Sequence, residues 1–252
     1  MSYERTEASV SPGRLLPRRW GRRGQVEIHA ASLPARTFTG DFYLTHRDDE
    51  GTWLVLGDVA GKGLRAAVTM AMIQEELEQR LVEEVLTRCD PGEAMLRLHS
   101  FLRPLLPDNR FATVVIGHLW DDGTLAIANA GHCAMLIARR DGSVEAFDPT
   151  GPVVGMLDCP RWSTVTTRLD RDEALLLYSD GLAEARSPEG DEFGEASIRR
   201  ILSSSRAAHR PSACTILAEI LAAFDRHSAG VLQDDLTVVV ARRPGESETP
   251  TA

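Results

Sequence analysis

Apolar positions along this chain follow two rhythms. Short β-type runs at 25–33, 42–46 and 53–59 are bounded by turn formers, and Asp48-Asp49-Glu50-Gly51 separates the last two as a hairpin turn. Two further hairpins are predicted, 111–120 with 125–130 around Asp121-Asp122-Gly123, and 133–138 with 144–147 around Arg139-Arg140-Asp141-Gly142. Runs at 163–169, 174–179 and 236–241 raise the strand content enough for two packed sheets.

The second rhythm is helical. Ile73, Leu77, Leu81 and Val85 recur at four-residue spacing within 64–86, with glutamates elsewhere around the cylinder, which predicts an amphipathic helix that Pro91 stops. Pro91-Gly92 introduces a second stretch over 93–102, and the two helices are expected to pack as a hairpin on a sheet face. Ile216, Leu217, Ile220, Leu221 and Phe224 form a third apolar stripe, with Ser212 as its N-cap. Helical blocks set between hairpins, without regular βαβ alternation, predict an α+β fold: an antiparallel β-sandwich flanked by helices in α-β-β-α layers.

Composition narrows the functional classes. A formal charge of -9 argues against nucleic-acid or anionic-membrane binding, which needs clustered Lys and Arg. One basic segment runs against that balance, with Arg14, Arg18, Arg19, Arg22 and Arg23 in a stretch over 1–24 that reads as a loose tail. Residues 244–252 read as a second tail, leaving 25–243 as a single domain. Cys89, Cys133, Cys159 and Cys214 are widely spaced without a C-x-x-C pair, and neither a bilayer span nor a signal-peptide core is apparent. A cytoplasmic location is expected.

The candidate chemistry lies in acidic residues at the ends of β-type runs. Asp41 follows Gly40, Asp58 follows Leu56-Gly57, Asp180 follows Tyr178-Ser179, and Asp234-Asp235 precede Leu236. Strand ends at one rim project into a shared cleft, where crowded carboxylates repel one another unless cations neutralise them. An all-oxygen donor set suits Mg2+ or Mn2+. Any one of these aspartates alone reads better as a turn residue; it is the four together that resist that reading.

Taken in order, Thr39-Gly40-Asp41-Phe42-Tyr43, Gly57-Asp58-Val59-Ala60-Gly61-Lys62-Gly63, Phe111-Ala112-Thr113, Asn129-Ala130-Gly131-His132, Ser179-Asp180-Gly181-Leu182-Ala183-Glu184-Ala185, Phe193-Gly194 and Asp234-Asp235-Leu236-Thr237 resemble the motifs of the SpoIIE branch of PPM-type protein phosphatases. The resemblance covers about 25–242. It implies a serine/threonine phosphatase with two divalent cations, Mn2+ or Mg2+, and a phosphorylated protein substrate such as an anti-sigma-factor antagonist. It also implies roles: Asp58 bridges the two ions, the Val59 carbonyl ligates one, Asp180 and Asp234 hold the first, and Asp41 serves the second. Asp235 is the less favoured ligand of its pair.

Thr39, Leu44 and Lys62 depart from the family pattern, which weakens the expected second-ion site and keeps open a binding module without turnover. A phosphoesterase acting on small molecules would share the chemistry. Arg36 and Lys62 are candidates for phosphate contact, since guanidinium in particular matches a phosphate with paired donors. His132, between two β-type runs, reads as a packing residue. With only about two dozen residues ahead of the match, control is expected through a partner or second protomer docking on the helix at 64–86, with Leu77→Asp as a probe.

Overall fold

The computed structural model describes residues 18–23, 26–82, 89–106, 110–208 and 211–245. The strands are β1 (Arg18–Arg23), β2 (Val26–Leu33), β3 (Asp41–Arg47), β4 (Gly51–Val59), β5 (Ala112–Trp120), β6 (Thr124–Ala130), β7 (Met135–Ala138), β8 (Val144–Phe147), β9 (Val165–Arg168), β10 (Ala174–Tyr178) and β11 (Leu236–Arg242). Helices α1 (Leu64–Val82), α2 (Pro91–Leu102), α3 (Asp180–Ala183), α4 (Gly194–Ala208) and α5 (Ala213–Ser228) complete it.

The strands build two antiparallel sheets, one ordered β1-β2-β11-β10-β7-β8 and the other β3-β4-β5-β6-β9. Side chains alternate across each strand, and this period of two sorts the core into layers. Leu54, Leu56, Val115, Ile127, Leu175, Leu177 and Val239 fill the space between the sheets. Trp53, Val55, Val114 and Ile116 face the other way and pack against Ile73, Leu77 and Leu81 of α1 and Met95 and Leu98 of α2. On the opposite side Leu176, Tyr178, Val238 and Val240 meet Ile198 and Leu202 of α4 and Ile216, Ile220 and Phe224 of α5. The α-β-β-α layering expected from the hairpins and helical blocks is therefore the one observed.

All three predicted hairpins form in register. Asp90 caps α2 by accepting from Glu93 N at 3.0 Å, and Ser212 caps α5 by accepting from Thr215 N at 3.1 Å. The basic stretch read as a loose tail is corrected in part: residues 18–23 form β1, pairing antiparallel with β2 at the sheet edge. The rest of that tail, the end of the helix predicted to 86 and most of 244–252 lie outside the described residues. Leu77 is 1% exposed and faces the sheet, so Leu77→Asp would break the core before it probed docking. The outward face of α1 is instead marked by exposed Leu64, Val68 and Met72.

Candidate metal centre

At one end of the sandwich the inward-facing positions change from apolar to polar. Continuing the alternation beyond Leu54 and Leu56 brings β4 to Asp58, and the same step brings β5 to Thr113 and β10 to Ser179. Asp41 stands directly opposite Asp58 across the β3–β4 pair, and Thr113 stands opposite Asp58 on its other side. Directly opposed residues share a sheet face, so Asp41, Asp58 and Thr113 form one row.

The other sheet brings its carboxylates to this row through two tightly joined strand ends. Ser179 N donates to Thr237 O, Thr237 N donates back to Ser179 Oγ, both at 2.9 Å, and Ser179 Oγ donates to Asp235 O at 3.2 Å. Asp180 opens α3 immediately after this junction. Gly181 is required there, because a Cβ would sit 1.9 Å from Asp235 O. Gly40 makes the matching approach on the first sheet, where a Cβ would fall 2.8 Å from Asp58 Oδ1 and 3.0 Å from Val59 O.

Asp58, Asp180, Asp234 and Asp235 line one cavity of ≈ 210 Å³ together with Arg36 and Lys62. Asp41 lies outside that lining and opens on an adjoining groove between β3 and α1, beside Thr39, Gln74 and Glu78. The predicted residues thus converge from both sheets, with Asp41 reached from a neighbouring side. Asp235 uses both oxygens on backbone, Oδ1 accepting from Ala35 N at 2.8 Å and Oδ2 from Gly40 N at 2.9 Å. Its carboxylate ties the loop before β3 to the start of β11. Lys62 Nζ donates to Asp234 Oδ2 at 2.8 Å, with both side chains half exposed.

One residue without a motif signal, Arg110, completes the scaffold. Arg110 Nη1 donates to Ala60 O at 2.9 Å, and Ala60 N donates to Phe111 O at 2.9 Å, pinning the turn that follows Asp58. Gly61 within that turn has φ +105°, open to glycine and costly for other residues. Arg110 is separated from the turn by some fifty positions, so nothing in the local pattern announces it.

Burial dominates the electrostatics. It pushes the Asp58 carboxyl up to about 7, helped by the neighbouring charges of Asp180 and Asp234. Asp41 is pushed up to about 8, mainly by burial, against the opposing effect of nearby Thr237 and Ser179, and its Oδ2 has no hydrogen-bond partner. Burial also raises Asp180, with Glu184 and Asp234 adding repulsion. The folded protein therefore retains protons that an unfolded chain, with aspartates near 3.8, gives up. Without divalent ions, the stabilisation from protonated Asp58 and Asp41 is fully present below about pH 4 and is lost as pH rises to about 8; the depressed His132 acts in the opposite sense below 6.5, so a net fall is expected between pH 6.5 and 8. Urea midpoints across that range check this; a flat or rising profile would contradict the assigned burial.

Among the described residues no three Asp, Glu, His or Cys side chains already stand close enough to cage an ion. The donors nevertheless fit a hard divalent cation: they are all oxygen, two are raised by mutual repulsion as well as burial, and Asp41 keeps a buried orphan oxygen. The close approach of Gly40 leaves Asp58 Oδ1 and the Val59 carbonyl facing the same small space.

The sequence profile of the family described as "Stage II sporulation protein E (SpoIIE)" matches residues 48–244. Protein IcfG of Synechocystis sp. is 27% identical over 245 residues, covering 87% of this chain and 38% of that protein. The phosphoserine phosphatase RsbU of Bacillus subtilis (strain 168) is 24% identical over 220 residues, covering 86% of this chain and 63% of RsbU. Against both curated relatives the chain spans less than two thirds of their length. The fold is similar to that of the SiaA-PP2C domain of Pseudomonas aeruginosa, with a TM-score of 0.74 and 18% identity, covering 85% of this chain and 84% of that one.

Proposed function

Because this chain belongs to the SpoIIE family of PPM-type phosphatases, we propose that it is a metal-dependent protein phosphatase releasing phosphate from phosphoserine or phosphothreonine on a signalling protein, such as an anti-sigma-factor antagonist. The observation that carries this reading is the convergence of Asp58, Asp180 and Asp234, from both sheets, on one cavity that also holds Arg36 and Lys62. RsbU, a relative named for phosphoserine hydrolysis, supports the substrate class.

Asp58, Asp180 and Asp234 would hold the first of two Mn2+ or Mg2+ ions, Asp58 and Asp41 would serve the second, and the Val59 carbonyl would ligate one of the two. Such ions supply Lewis-acid polarisation of phosphoryl oxygens and an acidified water as nucleophile. The chain's own part is to keep the acids ionisable and aimed. Ser179, Thr237 and Asp235 fix the strand ends that carry Asp180 and Asp234, and Arg110 fixes the turn after Asp58. Arg36 offers a planar cation to the phosphate oxygens. Phe38, half exposed beside the cavity, offers an apolar contact to the peptide that bears the phosphate.

Lys62 competes for Asp234. Lys62→Gln is expected to tighten Mn2+ binding about threefold, the size of a half-exposed ion pair; calorimetric titration that showed weaker binding would instead make Lys62 a helper of the site. A second reading, a phosphatase fold that binds without turnover, draws on this contact and on the separate opening of Asp41. Phosphate release decides between them. With Mn2+, the enzyme reading expects turnover on a phosphoserine protein that exceeds turnover on a nucleotide and disappears with chelator. A folded, metal-loaded protein that releases phosphate from neither supports the binding module, and preference for the nucleotide supports a small-molecule phosphoesterase. No helix among the described residues is long and apolar enough to cross a membrane.

A further inference from the structure

The turn after β6 is built around a single buried histidine. Asn129, fully buried, donates from Nδ2 to the carbonyls of His132 and Cys133 at 3.3 and 3.1 Å and accepts from His132 N at 2.8 Å. Gly131 takes φ +64°, and a Cβ there would meet Val153 Cγ1 at 2.7 Å. Backbone and side-chain bonds thus leave this turn one conformation, and that conformation aims the imidazole inward.

His132 Nδ1 lies 2.8 Å from Thr113 Oγ1, and Thr113 is the residue opposite Asp58 on β5. On its other side the ring faces the backbone of Tyr178, two residues before Asp180, while Nε2 has no partner in good hydrogen-bond geometry. Burial pushes the imidazole down to about 4, so the ring carries no charge near neutrality. One side chain therefore spans from the sheet that carries Asp58 to the sheet that carries Asp180, directly beneath the rim. A histidine that merely filled space would have no need of a buried asparagine clamp behind it and a hydroxyl in front.

We propose that His132 is a positioning residue, a strut between the two sheets that sets the separation of Asp58 and Asp180 and through it the affinity of the rim for divalent cations. The inference rests on the reading of these aspartates as metal ligands. It places His132 outside the chemistry itself, since it touches neither a candidate ligand side chain nor the cavity.

Residues that orient metal ligands typically change affinity by about 10- to 100-fold when removed. His132→Ala is therefore expected to weaken Mn2+ binding, read by calorimetric titration of the folded protein, by about that factor. His132→Asn keeps a polar group near the position of Nδ1 and is expected to restore most of the loss. Thr113→Val is expected to weaken binding as well, and the double variant to be no worse than the more affected single one, because both act through one contact. Urea midpoints report folding separately.

A folded His132→Ala protein with the parental Mn2+ affinity overturns the proposal. So does a Thr113→Val protein with parental affinity, which decides the matter if His132→Ala fails to fold. If Asn at 132 is as damaging as Ala, the histidine is a packing residue and the strut is wrong. A folded parent that binds no Mn2+ defeats the phosphatase reading and this inference together, whereas a parent that binds beside unaffected variants defeats the inference alone.

Discussion

Replacing Asp58 by Asn is expected to lower Mn2+-dependent phosphate release by about 10³-fold or more, the scale of several kcal/mol of transition-state charge stabilisation. The same change is expected to stabilise the metal-free protein above neutral pH. Asp58 is held in a buried position among Asp180, Asp234 and Asp235, and its ionisation works against folding there. An amide of the same shape carries no charge and removes that repulsion. Activity and stability should therefore move in opposite directions, the pattern of a strained functional site. Parallel assays of phosphate release and urea midpoint at pH 8 check both halves. A variant that lost stability and activity together would mark Asp58 as an ordinary structural residue.

Gly181→Ala is expected to destabilise the fold by about 3 kcal/mol, because overpacking against a fixed backbone finds little room to relax. The added Cβ would lie 1.9 Å from the Asp235 carbonyl oxygen, and the atoms on both sides of that contact are already tied by the Ser179–Thr237 exchange. What remains folded should bind Mn2+ poorly, since the clash pushes Asp180 away from Asp234. Equilibrium urea unfolding gives the first quantity and titration of the refolded protein the second. An unchanged midpoint would show that the two strand ends move apart freely, against the rigidity argued for the rim.

Much of the sandwich could be read locally because hairpins announce themselves. The Glu-Gly, Asp-Gly and Arg-Asp-Gly turns lie between apolar runs, and each pair forms with the expected partner. The aspartates were legible for a related reason: each interrupts an apolar alternation at its end, and alternation dictates which face the next side chain takes. Long-range closure was not legible. β2 pairs with β11 across some two hundred residues, a match sealed by the Ser32–Thr237 hydroxyl contact at 2.9 Å, and no local pattern carries that information.

Besides the four-residue α3, two elements escaped the sequence for physical reasons. β1 consists of arginines around Trp20 and Gly21, with no apolar alternation to announce a strand. α4 is rich in Ser and Arg, and among its described side chains only Ile198 and Leu202 are buried, too thin a stripe to stand out. The resemblance already favoured Asp234 over Asp235 as a ligand, but what each carboxylate touches needed coordinates. Adjacent carboxylates look alike in sequence, while in the fold one points into the cavity beside Lys62 and the other spends both oxygens on backbone amides.

We propose that aspartates from two sheets hold divalent cations at one rim. Calorimetric titration of Mn2+ into the folded protein, the Asp58→Asn variant and the Asp180→Asn variant tests it most directly. Saturable binding in the parent, abolished in both variants while their unfolding remains cooperative, is the predicted result. Equal binding in all three, or none in a folded parent, would contradict it.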